Sequence, residues 1–234
     1  MNDYEYRFND ESKERRFNAF LTRVFMWMFS GVTLSFATAY VTANNEAVLE
    51  FIDSLPFTFI FLLILELFLT SYLEANLTRI SENTASGLFM FFSFLNGLTL
   101  SFIFVVFDLG SISTALFVSS VLFGVMALYG RLTSKDLTPK KSLIMMGLFG
   151  ILIAFPINFL IQSPAVDYLI SATLIILFSG LTAWHIQDIM YEYYRYDDEV
   201  LARNFAIVGA LDLYIDFVQI FIAFIRLADF SKRD

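Results

Sequence analysis

The chain has 234 residues, 58% of them hydrophobic and 16% charged, with 29 phenylalanines and a mean hydropathy of +0.68. Soluble domains carry about 25% charged residues, so this composition excludes an ordinary soluble domain. The lack of cysteine excludes disulfides and thiolate metal centres. A net charge of −8 with no basic run excludes a nucleic-acid surface.

The densely charged head, MNDYEYRFNDESKERR, leads straight into an apolar stretch of full spanning length. A cleavable signal offers a shorter apolar core and a small-residue cleavage site, so the first span is expected to be a retained signal anchor. Beyond the head, the bases cluster: Arg79 alone, then Arg131, Lys135, Lys140 and Lys141, then Arg195 and Arg203, and finally Arg226, Lys232 and Arg233. Three base-free intervals remain, 24–78, 80–130 and 142–194, each with room for two spans and a short turn. Their turns carry acids instead: Glu46, Glu50 and Asp53, then Asp108, then Asp167. The positive-inside rule therefore puts the head and the basic loops in the cytoplasm.

Three helical hairpins follow from this pattern. The first is predicted over 20–42 and 56–75, broken by Asn44-Asn45 and Pro56. The second is predicted over 87–107 and 112–130, joined at Asp108-Leu109-Gly110-Ser111. The third is predicted over 142–162 and 167–190, joined around Ser163-Pro164, with Pro156 expected to kink its first helix. A seventh apolar segment, 205–225, reaches roughly 30 Å at about 1.5 Å per residue. A full crossing puts Lys232 and Arg233 outside, against the charge rule, whereas a re-entrant segment keeps them in the cytoplasm. The full central helix is the expectation. The resulting organisation is a charged cytoplasmic segment at 1–19, one seven-helix membrane domain at 20–230 and a short tail at 231–234.

The seventh segment carries Asp212 and Asp216, four positions apart and so stacked on one helix face, with Gln219 and Arg226 continuing it. A carboxylate in mid-span costs about 2.5–3.5 kcal/mol on insertion scales. This face is therefore expected to look into protein and to handle protons or cations. Two carboxylates one turn apart in low dielectric do not readily ionise together, which suits a proton sensor or a hard-oxygen ligand set for calcium. Glu66 lies midway through the second span and is read as part of the cation path. His185 is the sole histidine. Arg79 and Arg226 are read as bases flanking a cytoplasmic mouth. Asn96, Ser101, Asn158 and Gln219 are read as helix–helix hydrogen-bonding groups, Tyr191 to Tyr194 as an interfacial aromatic belt, and Asp197-Asp198-Glu199 as a solvated loop. No zinc-type His-Glu-x-x-His, phosphate loop or nucleophile elbow is present, so transport is expected rather than catalysis.

Five stretches, ELFLTSYL (66–73), LNGLTLSFIF (95–104), FGVMALYGRLTSKDLT (123–138), GLTAWHIQ (180–187) and GALDLYIDF (209–217), together resemble the Bax inhibitor-1 family, also called the transmembrane Bax-inhibitor-motif family. The resemblance implies an all-α membrane bundle of seven helices, six around a central last one. It also implies a pH-sensitive calcium leak channel, in which a carboxylate of the sixth helix and one of the seventh form a proton-sensing latch. The seventh-helix partner maps onto Asp216; the sixth-helix position is His185 here, a departure from the family's usual acid. The family's second-helix glutamate maps onto Glu66 and its hairpin arginine onto Arg79.

A latch of His185, Asp212 and Asp216 is thus expected, closed while His185 is charged and loosened when it loses its proton. Asp188 and Glu192 offer a second partner. Glu66 and Asp216 supply the oxygens for a passing metal ion. The expected partners are the lipid bilayer, calcium and protons, with a membrane protease as a further protein partner. No resident cofactor is expected, and the location is a bacterial inner (plasma) membrane with the N-terminus cytoplasmic. A proton-coupled cation exchanger and a non-transporting regulator of a membrane protease are the rival readings.

Overall fold

Short polar side chains capture free backbone groups at several of the helix boundaries. The computed structural model describes the backbone of residues 3–54, 57–195 and 199–233, and side chains within 14–50, 57–58, 60–195 and 202–228. The helices are α1 (Asp3–Ala43), α2 (Glu46–Ser54), α3 (Thr58–Asn76), α4 (Glu82–Val106), α5 (Leu109–Leu132), α6 (Thr138–Ile161), α7 (Pro164–Arg195) and α8 (Glu199–Arg233). At the end of α1, Asn44 Nδ2 donates back to the Tyr40 carbonyl at 2.8 Å, and Asn45 Oδ1 accepts the Val48 amide at 3.3 Å to open α2. Asp108 caps α5 twice, accepting from the Ser111 amide at 2.9 Å and from its hydroxyl at 2.7 Å. Asp136 accepts the Thr138 amide at 2.9 Å ahead of α6, and that bond holds its exposed carboxyl below the usual aspartate range. Gln162 ends α6 in a left-handed conformation, φ 55°, and Asn158 Oδ1 accepts the Ser163 amide there at 3.2 Å.

Among the described residues, six helices are long and apolar enough to cross a membrane: Glu14–Ala43, Glu82–Val106, Leu109–Leu132, Thr138–Ile161, Pro164–Arg195 and Ala202–Ala228. The 19-residue, strongly apolar α3 occupies the place of the expected second span. The chain is an all-helical, multi-pass membrane protein. Two details differ from the sequence reading. The acidic first turn becomes the helix α2, which Asn45 and Glu46 favour at its N-terminus. The third hairpin's second helix runs on past residue 190 to Arg195. The last segment is uninterrupted, and its apolar window is 67% buried, against 0–39% in the other five. A continuous, mostly buried α8 is the full helix expected and not the re-entrant alternative. Pro56, Asp197 and Asp198 lie outside the described residues, as do the side chains of Asp53, Glu199, Lys232 and Arg233.

Two compact units share the chain, residues 1–102 with 189–211, and residues 103–188 with 212–234. In the first, α1 and α4 approach along small residues. The Ser35 hydroxyl donates to the Ser93 carbonyl at 2.6 Å, and a Cβ on Gly97 would lie 2.6 Å from the Ser35 carbonyl oxygen. Such close backbone approach is the usual way membrane helices gain dispersion energy. Phe17 and Phe20 of α1 pack on Tyr193, with ring centroids 5.3 and 4.7 Å apart. Tyr193 therefore serves a packing role beyond the aromatic belt expected of it. The start of α8 is pinned to the turn after α3, because Asn204 Nδ2 donates to the Leu77 and Ile80 carbonyls at 2.9 and 2.8 Å. Beside it, Arg203 pairs with Glu82 at 3.3 Å.

The second unit holds α5, α6, most of α7 and the latter part of α8. Gly130 of α5 lies against the backbone of Ala183 in α7. Leu137, Ala183 and Trp184 form a small buried cluster with Met126 at its edge. Gln187 straps the α5–α6 loop to α7: its Oε1 accepts the Leu137 amide at 3.0 Å and its Nε2 donates to the Lys135 carbonyl at 2.9 Å. The basic loop and the Gln187 level of α7 therefore share one end of this unit.

Candidate functional site: a buried histidine–carboxylate pair

α7 and α8 bring His185 and Asp216 together. His185 Nδ1 lies 2.7 Å from Asp216 Oδ2, and the Asp216 side chain is fully buried. That length is typical of a charge-assisted N–H···O bond. With one shared proton the two groups form an imidazolium–carboxylate pair of zero net charge, and losing that proton leaves a neutral imidazole beside a buried carboxylate. Asp212 and Asp188 also act on His185 electrostatically. Asp212 is half-buried on the same α8 face as Asp216, one turn earlier. All four residues belong to the second unit.

The surroundings of the pair were not legible as a site. The Thr182 hydroxyl lies near the Asp216 carboxyl, but its single hydrogen goes to the Phe178 carbonyl at 2.8 Å. Asp216 Oδ1 is thus buried without a donor. The Trp184 ring lies 4.9 Å from the imidazole, and Lys141 Nζ stands 3.7 Å over the indole. The lysine at the start of α6 is therefore one aromatic ring removed from the titrating group. The one available signal was GLTAWHIQ itself, in which Thr182, Trp184 and Gln187 all lie within three residues of His185.

Glu66 forms a separate site in the first unit. It is 7% exposed and accepts from Asn96 Nδ2 at 3.1 Å and Thr99 Oγ1 at 2.9 Å, both on α4. The helix–helix role read for Asn96 has this carboxyl as its partner, whereas Thr99 was not singled out. Replacing Asn96 by Leu removes one donor from a buried carboxyl, an expected cost of about 1–3 kcal/mol. Thermal unfolding in detergent should show it, and Thr99→Val should show a similar loss. An unchanged midpoint in both variants would remove Glu66 from the list of buried, bonded acids.

The two flanking arginines have different settings. Arg79 is exposed in the turn after α3. Arg226 stands 5.1 Å over the Phe155 ring and interacts with Asp167. Phe155 is near the end of α6 and Asp167 near the start of α7, so Arg226 lies at the acidic-turn end of the second unit. The reason is length: an unbroken α8 carries residue 226 roughly 15 Å beyond Asp216, at about 1.5 Å per residue. Among the described residues, no group of three or more His, Asp or Glu side chains is arranged to hold a metal ion.

Fold and site define a multi-pass helical membrane protein with ionisable groups buried between its helices. The family model described as "Inhibitor of apoptosis-promoting Bax1" matches residues 17–233, and the chain belongs to that Bax inhibitor-1 family. It is 35% identical over 210 residues to inner membrane protein YbhL of Escherichia coli K12, covering 89% of this chain and 90% of that one. An uncharacterized protein of Borreliella burgdorferi is 34% identical over 218 residues, covering 93% and 94%. Uncharacterized protein RP147 of Rickettsia prowazekii is 31% identical over 238 residues and covers both chains fully.

Proposed function

We propose that the protein is a cation leak channel of a bacterial inner membrane, with calcium as its cargo and the His185–Asp216 pair as its proton-operated latch. The observation that carries this reading is the 2.7 Å contact between a fully buried carboxylate and the chain's sole imidazole. Intramembrane ionisable groups of this kind are costly to insert and characteristically serve proton or ion pathways. YbhL's description as an inner membrane protein supports the location, and the basic loops support a cytoplasmic N-terminus. Asp212, beside the pair, adds a second carboxylate that a released latch exposes to the ion. Glu66 offers carboxyl oxygens in the first unit.

The sign of the pH response follows from which proton is lost. The latch needs a charged imidazole facing an ionised carboxylate. Raising pH removes the imidazole proton and the attraction with it, so α7 and α8 are freed and flux rises. Calcium entry into proteoliposomes should therefore increase with pH through the imidazole titration in the wild type. His185→Gln keeps a hydrogen-bonding side chain but has no proton to lose, and its flux should vary little over the same range. A His185→Gln profile that overlays the wild type would sink the latch. Absence of flux at every pH would favour the regulator of a membrane protease.

A further inference from the structure

The junction of α5 and α6, in the second unit, carries Arg131, Lys135, Lys140 and Lys141. Among the described residues, Lys135, Lys140 and Lys141 form no ion pair. Asp136, the acid between them, bonds the Thr138 amide instead. The loop nevertheless has a fixed course. Gln187 of α7 holds the Lys135 carbonyl and the Leu137 amide, and Leu137 is buried with Ala183 and Trp184. Lys141 Nζ stands 3.7 Å over the Trp184 ring, a cation–π contact that keeps this ammonium in place.

The level of these bases in the membrane is fixed as well. Lys140 and Lys141 lie within the first turns of the α6 span, Thr138–Ile161, and Arg131 lies in the last turn of the α5 span, Leu109–Leu132. Leu132 and Leu143, 77% and 71% exposed, flank them with apolar surface suited to acyl chains. Long basic side chains at span ends carry their charges to the headgroup level. An acidic protein segment would meet bases standing clear of the bilayer, whereas these stand at its edge. The positive-inside rule does not account for the arrangement, since insertion responds to a loop's charge and not to its shape. Bases in the first turns of a helix also oppose its dipole. A bound anion offsets that repulsion and the repulsion among the lysines.

We propose that Lys135, Lys140 and Lys141, on the loop strapped by Gln187, form a docking site for the phosphate of an anionic phospholipid headgroup. Ammonium groups donate short, charge-assisted hydrogen bonds to phosphate oxygens. The preference for an anionic over a zwitterionic headgroup comes from net charge, and each base near an anionic surface contributes roughly fivefold to it. The site does not depend on what the protein conducts.

The chain's two tryptophans are Trp27 and Trp184, and Trp184 lies directly beneath Lys141. Trp27→Phe keeps an aromatic ring against Phe89 and leaves Trp184 as the one indole reporting on lipid at this site. In phosphatidylcholine vesicles, brominated phosphatidylglycerol should quench that fluorescence at about tenfold lower mole fraction than brominated phosphatidylcholine does. Lys135→Gln, Lys140→Gln and Lys141→Gln together, in the same background, should bring the two quenching curves onto each other. Gln187→Leu keeps every base but frees the loop, and should shrink the preference to about threefold or less. Equal quenching by the two lipids in the Trp27→Phe protein would overturn the site and leave the bases to an acidic protein partner. An undiminished preference in the triple variant would overturn it too. A full preference in Gln187→Leu would reduce the site to diffuse basic charge and overturn its fixed geometry.

Discussion

Asp216→Ala should abolish the pH dependence of flux and destabilise the protein more than any other single change at the latch. The carboxylate is fully buried and bonded to His185 at 2.7 Å. Removing one partner of a buried pair costs about 3–5 kcal/mol, because the other charge is left in low dielectric. Imidazole can avoid part of that cost by giving up its proton, which is itself the predicted loss of the latch. Asp216→Asn separates the two contributions. Its amide oxygen still accepts from Nδ1, so much of the stability should return, yet no ion pair forms and flux should stay high and flat with pH. The expected order of unfolding midpoints in detergent is wild type, then Asp216→Asn, then Asp216→Ala. Equal midpoints and three superimposable pH profiles would show that the contact neither holds the helices nor gates them.

Gly130→Ala is the second large effect, and it arises from backbone rather than charge. A Cβ at this position would overlap the Ala183 carbonyl oxygen and lie 2.8 Å from its Cα. Backbone atoms cannot rotate aside, so α5 and α7 must separate by the better part of a methyl group. Overpacking of that kind costs about 1–3 kcal/mol. The separation also opens the Leu137–Ala183–Trp184 cluster next to His185. A Cβ on Gly124, on the same helix, would have no neighbour within 4 Å, and there Ala should be neutral or stabilising by up to about 1 kcal/mol through helix propensity. Opposite signs for two Gly→Ala changes six residues apart are the expected result. Matching effects on the thermal midpoint would mean that the α5–α7 approach does not set the stability of this unit.

The two substitutions show where sequence reasoning reaches its limit. Asp216 stood out at once, because a carboxylate amid LDLYIDFVQIF carries its insertion cost on its face. Gly130 did not. A glycine in a membrane helix signals close packing only in general, and nothing local names the helix it meets. Thr99 was missed for a similar reason. Hydroxyls in spans usually bond their own helix, and only the position of α3 shows that this one reaches Glu66. For Arg226, the neighbours in sequence include Lys232 and Arg233, whereas its neighbours in space are Phe155 and Asp167.

By itself the sequence determined what depends on local composition: helices of spanning length, hairpin turns at Asn44-Asn45, Asp108 and Ser163, and which ionisable groups lie within spans. Those follow from transfer free energy and backbone hydrogen bonding, both of which act along the chain. Only the tertiary structure decided which atoms meet. It put the imidazole on Asp216 Oδ2, left Oδ1 without a donor, and sent Arg226 to the acidic-turn end. In a membrane, apolar faces do not choose their neighbours by hydrophobicity, since lipid is as apolar as leucine. Helix pairing there is settled by close backbone contact and a few polar bonds, which no periodicity records.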